Sequence, residues 1–298
     1  MVDGPMSYNR FITGILPDQN YRFILGSLTD VALEVGSVLE ASPQITALMG
    51  ESMLAAFFLA GHNEKATGTT VGIDMQCKGP ADKLLSFASS EGIVRAFCSH
   101  PDATWEDSLY SGKKDGLFTV NRFVDDGRKI YSSSVEMHDL PLEKNIEEYL
   151  GRSDQKLGFI RLETTMQKDL ILDISGFSFE ALPGASVEDS DRVIEMIRQM
   201  RPSDMVGLLS DGDGERRKFH SSLSRVKILK TGSFEYRCDC NRQKVERVLL
   251  AMGRQSIEDL IVEKGSVEVF CEFCKRRYEF LGSEVERLFS HQSENPDS

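Results

Sequence analysis

The sequence is poor in several things, and each shortage removes a class of function. It has five histidines in 298 residues, and no two are spaced as His-x-x-x-His, so the usual helix-borne metal pair is missing. It contains no Gly-x-x-x-x-Gly-Lys loop, and no Gly-x-Gly-x-x-Gly follows a strand-like run, so neither common phosphate cradle is present. Long apolar runs are absent too. The longest strongly apolar stretch, Met53 to Ala60, is eight residues, against the roughly 20 needed to cross a bilayer. The first residues, MVDGPMSYNR, lack the basic start and apolar core of a secretory leader. The expectation is a cytoplasmic protein in a compartment that keeps thiols reduced. Positive charge is in deficit, with 35 Lys and Arg against 47 Asp and Glu and a net charge of −12. Such a chain repels polyphosphate and anionic lipid over most of its surface, so neither nucleic acid nor membrane is an expected partner.

What is present describes a globular protein. Hydrophobic residues make up 40% and charged residues 28%, far from a disordered composition. A length of 298 residues suggests two domains, or one large domain with an appendage. Tyr8 to Ile15 and Tyr21 to Leu28 read as strands, with turn chemistry at Pro17-Asp18-Gln19-Asn20. Thr29 and Asp30 are candidate caps for a helix carrying Val31, Leu33, Val35, Val38 and Leu39. Ser42-Pro43 opens a second helix, whose residues Ile45 to Phe58 have helical spacing and an apolar second half that should be buried against a sheet. Short β runs follow at 69–75, 83–88, 93–97, 116–123 and 129–134, joined by short turns that favour antiparallel pairing. A helix over 142–151 and strands over 156–165 and 170–179 complete an expected α+β domain spanning 1–185.

Residues 186–233 read differently. Val193, Ile194, Ile197 and Met200, then Met205, Val206, Leu208 and Leu209, form two short amphipathic patterns divided by Pro202. Helices this short must dock on something to persist. The segment is therefore expected to be a helical linker of modest stability, the pattern alone fitting an ordinary helical tail of the first domain equally well, with a polar spacer at Asp211 to Lys218. The block 234–298 holds two helices (243–253 and 256–264), a hairpin and a final helix. It is too small for a strong core, and a bound metal is a standard remedy.

The cysteines support that remedy. Four of the six lie between Cys238 and Cys274, as Cys238-Asp239-Cys240 and Cys271-Glu272-Phe273-Cys274. Two close pairs on separate loops can build a tetrahedral Zn²⁺ shell. The second pair sits in VEVF-CEFC-KRRYEF, a strand, a tight turn and a strand, the form of a zinc knuckle. Arg237, Arg242, Lys275, Arg276 and Arg277 lie near these cysteines in sequence and suit the net negative charge of a zinc tetrathiolate. Residues i and i+2 of an extended chain are roughly 6–7 Å apart, the upper edge for a disulfide. Both pairs could thus hold metal when reduced and close locally when oxidised. Cys77 and Cys98 lie outside the cluster in β-like runs and read as buried core thiols, with an auxiliary redox role as the alternative.

Three stretches resemble the redox-regulated heat shock protein 33 family: CDCNRQKVERVLLAMGRQSIEDLIVEKGSVEVFCEFCKRRYEF over 238–280, NIEEYLGRSDQ over 145–155 and SGFSFEALPGA over 175–185. The resemblance implies an N-terminal α+β domain, a metastable linker and a C-terminal zinc domain. It implies a chaperone that is inactive while reduced and zinc-bound. Oxidation would pair Cys238 with Cys240 and Cys271 with Cys274, release Zn²⁺ and unfold the linker. The protein would then hold unfolding clients without ATP, and it would dimerise. The cysteines would be switches, so no enzymatic turnover is expected. Two other classes compete. A thiol-disulfide oxidoreductase would use Cys271 and Cys274, but that class places its pair at a strand-to-helix junction. A zinc-ribbon nucleic-acid module would use the local basic residues, against the net charge.

Overall fold

The computed structural model describes residues 9–62, 69–106, 115–124, 127–154, 158–205, 209 and 226–294. The polar spacer expected at 211–218 lies outside them. The chain divides into two compact units, Met1–Arg237 and Cys238–Ser298.

The first unit holds two sheets. One runs β10-β1-β2-β9-β8, from β1 (Arg10–Leu16), β2 (Tyr21–Ser27), β8 (Gly158–Gln167), β9 (Leu170–Ala181) and β10 (Lys227–Ser233). All its pairings are antiparallel. The other runs β11-β5-β4-β3-β6-β7, from β3 (Thr70–Cys77), β4 (Lys83–Ser89), β5 (Ile93–Cys98), β6 (Gly116–Phe123), β7 (Lys129–Met137) and the short β11 (Glu235–Tyr236). Its pairings are antiparallel except β11 with β5, which is parallel.

Helix α1 (Thr29–Leu39) follows β2 directly, and α2 (Pro43–Gly61) follows α1. Ser42 caps α2 by accepting from the Ile45 amide at 3.2 Å, with Pro43 in the first turn, as the sequence suggests. Thr29 and Asp30 do not cap α1. Thr29 is inside the helix, and the Val31 amide is instead met by Asn9 Oδ1 at 3.2 Å, from the residue before β1. A cap supplied from 22 residues away leaves no local signature. Helix α2 touches β2, β8 and β9 of one sheet and β3, β4 and β5 of the other. It is therefore buried on all sides from Ile45 to Ala60 and largely apolar, with Glu51 and Ser52 hydrogen-bonded to Thr164 and Ser86. By length and composition it could cross a membrane, and 89% of its most apolar window is enclosed by the fold. Helix α3 (Leu142–Tyr149) runs on into one π-turn over Leu150–Asp154.

Strand β2 is buried on both faces beyond Arg22, which explains the consecutive apolar residues Phe23, Ile24 and Leu25. Ile24 faces the α2 core, while Tyr21, Phe23 and Leu25 face a second core. The residues covering that second face come from the segment 186–233. It carries α4 (Val187–Gln199), α5 (Pro202–Met205) and β10. Val193, Ile197, Met205 and Leu209 bury against Ile12, Leu16, Tyr21, Phe23, Leu25, Phe177 and Phe179. Ser186 and Asp189 form a capping box at the start of α4. Strand β10 was not legible in the sequence: it sits at the sheet edge, where outward residues are exposed and apolar alternation is weak. After it, Phe234 inserts into the α2 core, 4.8 Å from the Phe57 ring in an edge-to-face arrangement and 5.4 Å from Phe11.

The second unit contains α6 (Arg242–Met252), α7 (Arg254–Lys264), the hairpin β12 (Ser266–Phe270) with β13 (Arg277–Leu281), and α8 (Gly282–Glu294). Only Gly253 separates α6 from α7, and its φ of +88° is a conformation that disfavours any side chain. The core is small: Val245, Leu249, Ile257, Val267, Phe280, Val285 and Phe289.

Candidate metal centre

Two local structures position the four cysteines. Cys238 and Cys240 lie in irregular chain just before α6, and Asn241 caps that helix by accepting from the Lys244 amide at 2.9 Å. The helix start thereby fixes the end of the C-x-C segment. Cys271 and Cys274 lie in the turn of the β12–β13 hairpin. There the Cys271 amide donates to the Arg276 carbonyl at 3.0 Å, and the Lys275 amide to the Cys271 carbonyl at 2.7 Å. Lys275 adopts a left-handed φ of +55° to close this knuckle. Strands flank the C-x-x-C pair on both sides, unlike the strand-to-helix junction of thiol oxidoreductases.

The four sulfurs meet. Cys238 Sγ lies 3.6 Å from Cys271 Sγ, and Cys240 Sγ lies 3.4 Å from Cys274 Sγ. All four are within 4.8 Å of one another. A tetrahedron with Zn–S bonds of about 2.3 Å has sulfur–sulfur edges of about 3.8 Å, so the donor set fits a thiolate-binding metal. The 3.6 Å and 3.4 Å distances both run between the C-x-C and C-x-x-C motifs, so proximity alone does not select a disulfide within either motif.

The surroundings treat the sulfurs differently. The Cys240 amide points at the Cys238 sulfur and the Arg276 amide at the Cys274 sulfur. Without a metal, burial pushes the Cys238 and Cys274 thiols up, and neighbouring sulfurs add to the shift. Burial has the same tendency at Cys240, but the Tyr278 hydroxyl donates to its sulfur at 3.1 Å, and together with the adjacent thiols this holds it below the ordinary value. Tyr278 was not singled out from the sequence. Its position, four residues beyond Cys274 and inside β13, is visible there, but its hydrogen bond is not.

The basic residues near the cluster are mostly committed elsewhere. Lys275 pairs with Glu272 at 3.2 Å, Arg242 with Glu284 at 2.8 Å, and Arg237 with Glu235 at 3.7 Å. Arg277 pairs with Glu268 and Glu279. Carboxylates thus pair with four of the five basic residues that the sequence suggested, while Arg276 faces Tyr278 and the Cys240 and Cys274 sulfurs. Cys77 and Cys98 are built into the α2 core as expected. The Cys98 thiol donates to the Ala81 carbonyl at 3.3 Å, and burial pushes it up to about 11.

Comparison with known proteins identifies the family. The model of the Hsp33 protein family matches residues 9–281. The chain belongs to the Hsp33 family. The 33 kDa chaperonin of Pelobacter propionicus is 29% identical over 272 residues, covering 87% of this chain and 88% of that protein. The 33 kDa chaperonin of Clostridium beijerinckii is 24% identical over 292 residues, covering 95% and 99%. The crystal structure of the Hsp33 homologue from Thermotoga maritima superposes with a TM-score of 0.79 at 19% identity, covering 96% of this chain and 99% of that one. The mixed α+β architecture is thus that of the Hsp33 fold, and family and relatives together support a chaperone function.

Proposed function

We propose that this protein is an ATP-independent holdase whose activity is switched on by oxidation of the four-cysteine centre. The observation that carries the reading is the convergence of Cys238, Cys240, Cys271 and Cys274 within 4.8 Å, in a unit whose core holds seven buried apolar residues among those described. These cysteines would hold one Zn²⁺, which when bound supplies neutralising charge and a four-point cross-link. Zinc fits a closed all-thiolate set better than harder divalent ions do.

In the reduced state the four thiolates tie the C-x-C segment to the hairpin turn. A peroxide then takes two electrons from each pair. Two thiolates become one disulfide, and the peroxide, with two protons, leaves as two waters. Cys238 would join Cys240, and Cys271 would join Cys274. Disulfide sulfurs carry no charge and cease to ligate, so the cross-link is lost. The second unit is then left with a core too small to hold it. On this reading residues 186–233 are the metastable linker between the body and the switch domain. Their release exposes the face formed by Tyr21, Phe23, Leu25, Phe177 and Phe179. An apolar face of that kind binds unfolding clients without turnover and favours self-association to a dimer. The reading places the protein in the cytoplasm and gives it no enzymatic, nucleic-acid or membrane role.

One sample tests it. Peroxide is added to the reduced, zinc-loaded protein. Released metal is read with a chelating dye, disulfides by peptide mapping, and suppression of a thermally unfolding client by light scattering. The expected result is one zinc released per chain, two local disulfides and a gain in suppression. Zinc release without that gain would refute the holdase switch.

A further inference from the structure

The segment 186–233 does not dock by apolar contact alone. At the junction of α4 and α5, one carboxylate on the sheet grips the chain from three directions. Glu163, on β8, accepts from Arg201 Nε at 3.0 Å and again from Arg201 Nη2. Its other oxygen accepts from the Ser203 amide at 3.0 Å. The Glu163 side chain is 20% exposed, whereas Arg201 is 65% exposed. The carboxylate is therefore the fixed, half-enclosed part, and the arginine closes over it from solvent.

The Ser203 bond matters because of where it falls. Pro202 opens α5 and has no amide hydrogen, so Ser203 supplies the first orphan donor of that turn. The Glu163 carboxylate thus meets an amide that the one-turn helix itself leaves bare. Farther on, β10 is held by its pairing with β1 and by Lys230 with Glu91 at 2.7 Å, but among the described residues of 187–209 the other polar ties to the body are single bonds. Tyr21 Oη donates to Ser190 Oγ at 3.0 Å, and Arg10 Nη1 reaches the Leu209 carbonyl at 3.4 Å. Neither is bidentate, and neither sits where two helices are joined.

We infer that Glu163 is the latch of the linker: its grip on Arg201 and Ser203 sets how firmly the α4–α5 segment stays docked before any oxidation. This inference rests on the proposed holdase switch and adds a residue that regulates it. The latch lies wholly in the first unit, apart from the metal centre. It therefore sets the resting leak of the switch, while the cysteines set the trigger.

The test uses the full chain, reduced and zinc-loaded, as wild type, Glu163→Gln and Arg201→Ala. Gln keeps the size of the side chain but loses its charge. Arg201→Ala changes an exposed side chain and leaves the sheet untouched. Hydrogen exchange of the peptide 187–205 is measured together with client light scattering, and zinc content is checked in each variant. The expected result in both variants is exchange faster by about tenfold or more in that peptide only, because a bond to a charged group is worth about that factor. The zinc should remain bound, and aggregation suppression should rise without oxidant. The double variant should add little to either single one, since both remove the same contact. Unchanged exchange in both variants overturns the latch, whatever the chaperone does. Faster exchange with no gain in suppression overturns its regulatory role, provided oxidised wild type does suppress. If oxidised wild type also fails, the underlying function is at fault instead.

Discussion

Truncating Ile197 to Ala should loosen α4 without unfolding the body. Ile197 is 2% exposed and packs, with Val193, Met205 and Leu209, against the outer face of the β10-β1-β2-β9-β8 sheet. Full burial of each such side chain contributes about 1.5–3 kcal/mol, so four anchors contribute roughly 6–12 kcal/mol in gross terms. The conformational entropy of ordering the 13-residue helix opposes this gain. Ile→Ala at a buried site costs about 2–5 kcal/mol once the residual cavity is included. At 1.36 kcal/mol per decade, the low end already raises the undocked population about 30-fold. The assay is hydrogen exchange on the reduced, zinc-loaded protein. Amides of 187–199 should accelerate by that factor, while those of α2 and the β3–β4 pair keep wild-type rates. The reasoning fails if all peptides accelerate together, because α4 would then unfold only with the whole unit. It also fails if α4 changes less than about threefold while global stability falls by the full cost.

Other consequences follow from single contacts. Cys98, pushed up to about 11 by burial, should be about 0.1% thiolate at pH 8, against roughly a quarter for a free thiol. Iodoacetamide should therefore label it only after denaturation, and labelling of the native protein at pH 8 would contradict its placement. Burial alone would raise Glu163, but the Arg201 guanidinium and the Ser203 amide outweigh it and hold the carboxyl below its usual range. Its contribution is thus fully present above the unfolded carboxylate range and lost only as pH falls through the lower folded value. Protease sensitivity of 187–205 should be flat from pH 8 to about 5.5 and rise in stronger acid. Asp173 is the opposite case: burial raises it despite hydrogen bonds from Ser175, Ser27 and Thr29. It disfavours folding once pH passes the unfolded carboxylate value, so Asp173→Asn should raise Tm at pH 7, with a smaller gain at pH 4. Removing the metal by chelation should melt the second unit, with a loss on the order of 10 kcal/mol. Circular dichroism should show those helices lost, and an unchanged spectrum would mean that the seven-residue core suffices alone.

Spacing in the chain was enough to place the four cysteines in one site, because each pair is local and only one closure joins them. Helical and strand periodicity was enough for α2, for the β3 to β7 run and for the final hairpin, since each alternates or repeats within a single element. Contacts between elements distant in sequence were not readable in this way. The cap of α1 comes from Asn9, across a whole hairpin, so Thr29 and Asp30 looked the better candidates. Strand β10 takes its order from pairing with β1 rather than from its own pattern. The Tyr278 hydroxyl on Cys240 and the Glu163 carboxylate on Arg201 and Ser203 join residues 38 to 40 apart. Carboxylates also neutralise most of the basic collar, a fact set by side-chain geometry and not by net charge. The sequence determined which residues can ligate and which elements can form, because those depend on local spacing. The tertiary structure decided which polar groups meet and which apolar face α4 and α5 cover, because those depend on how distant strands are brought side by side.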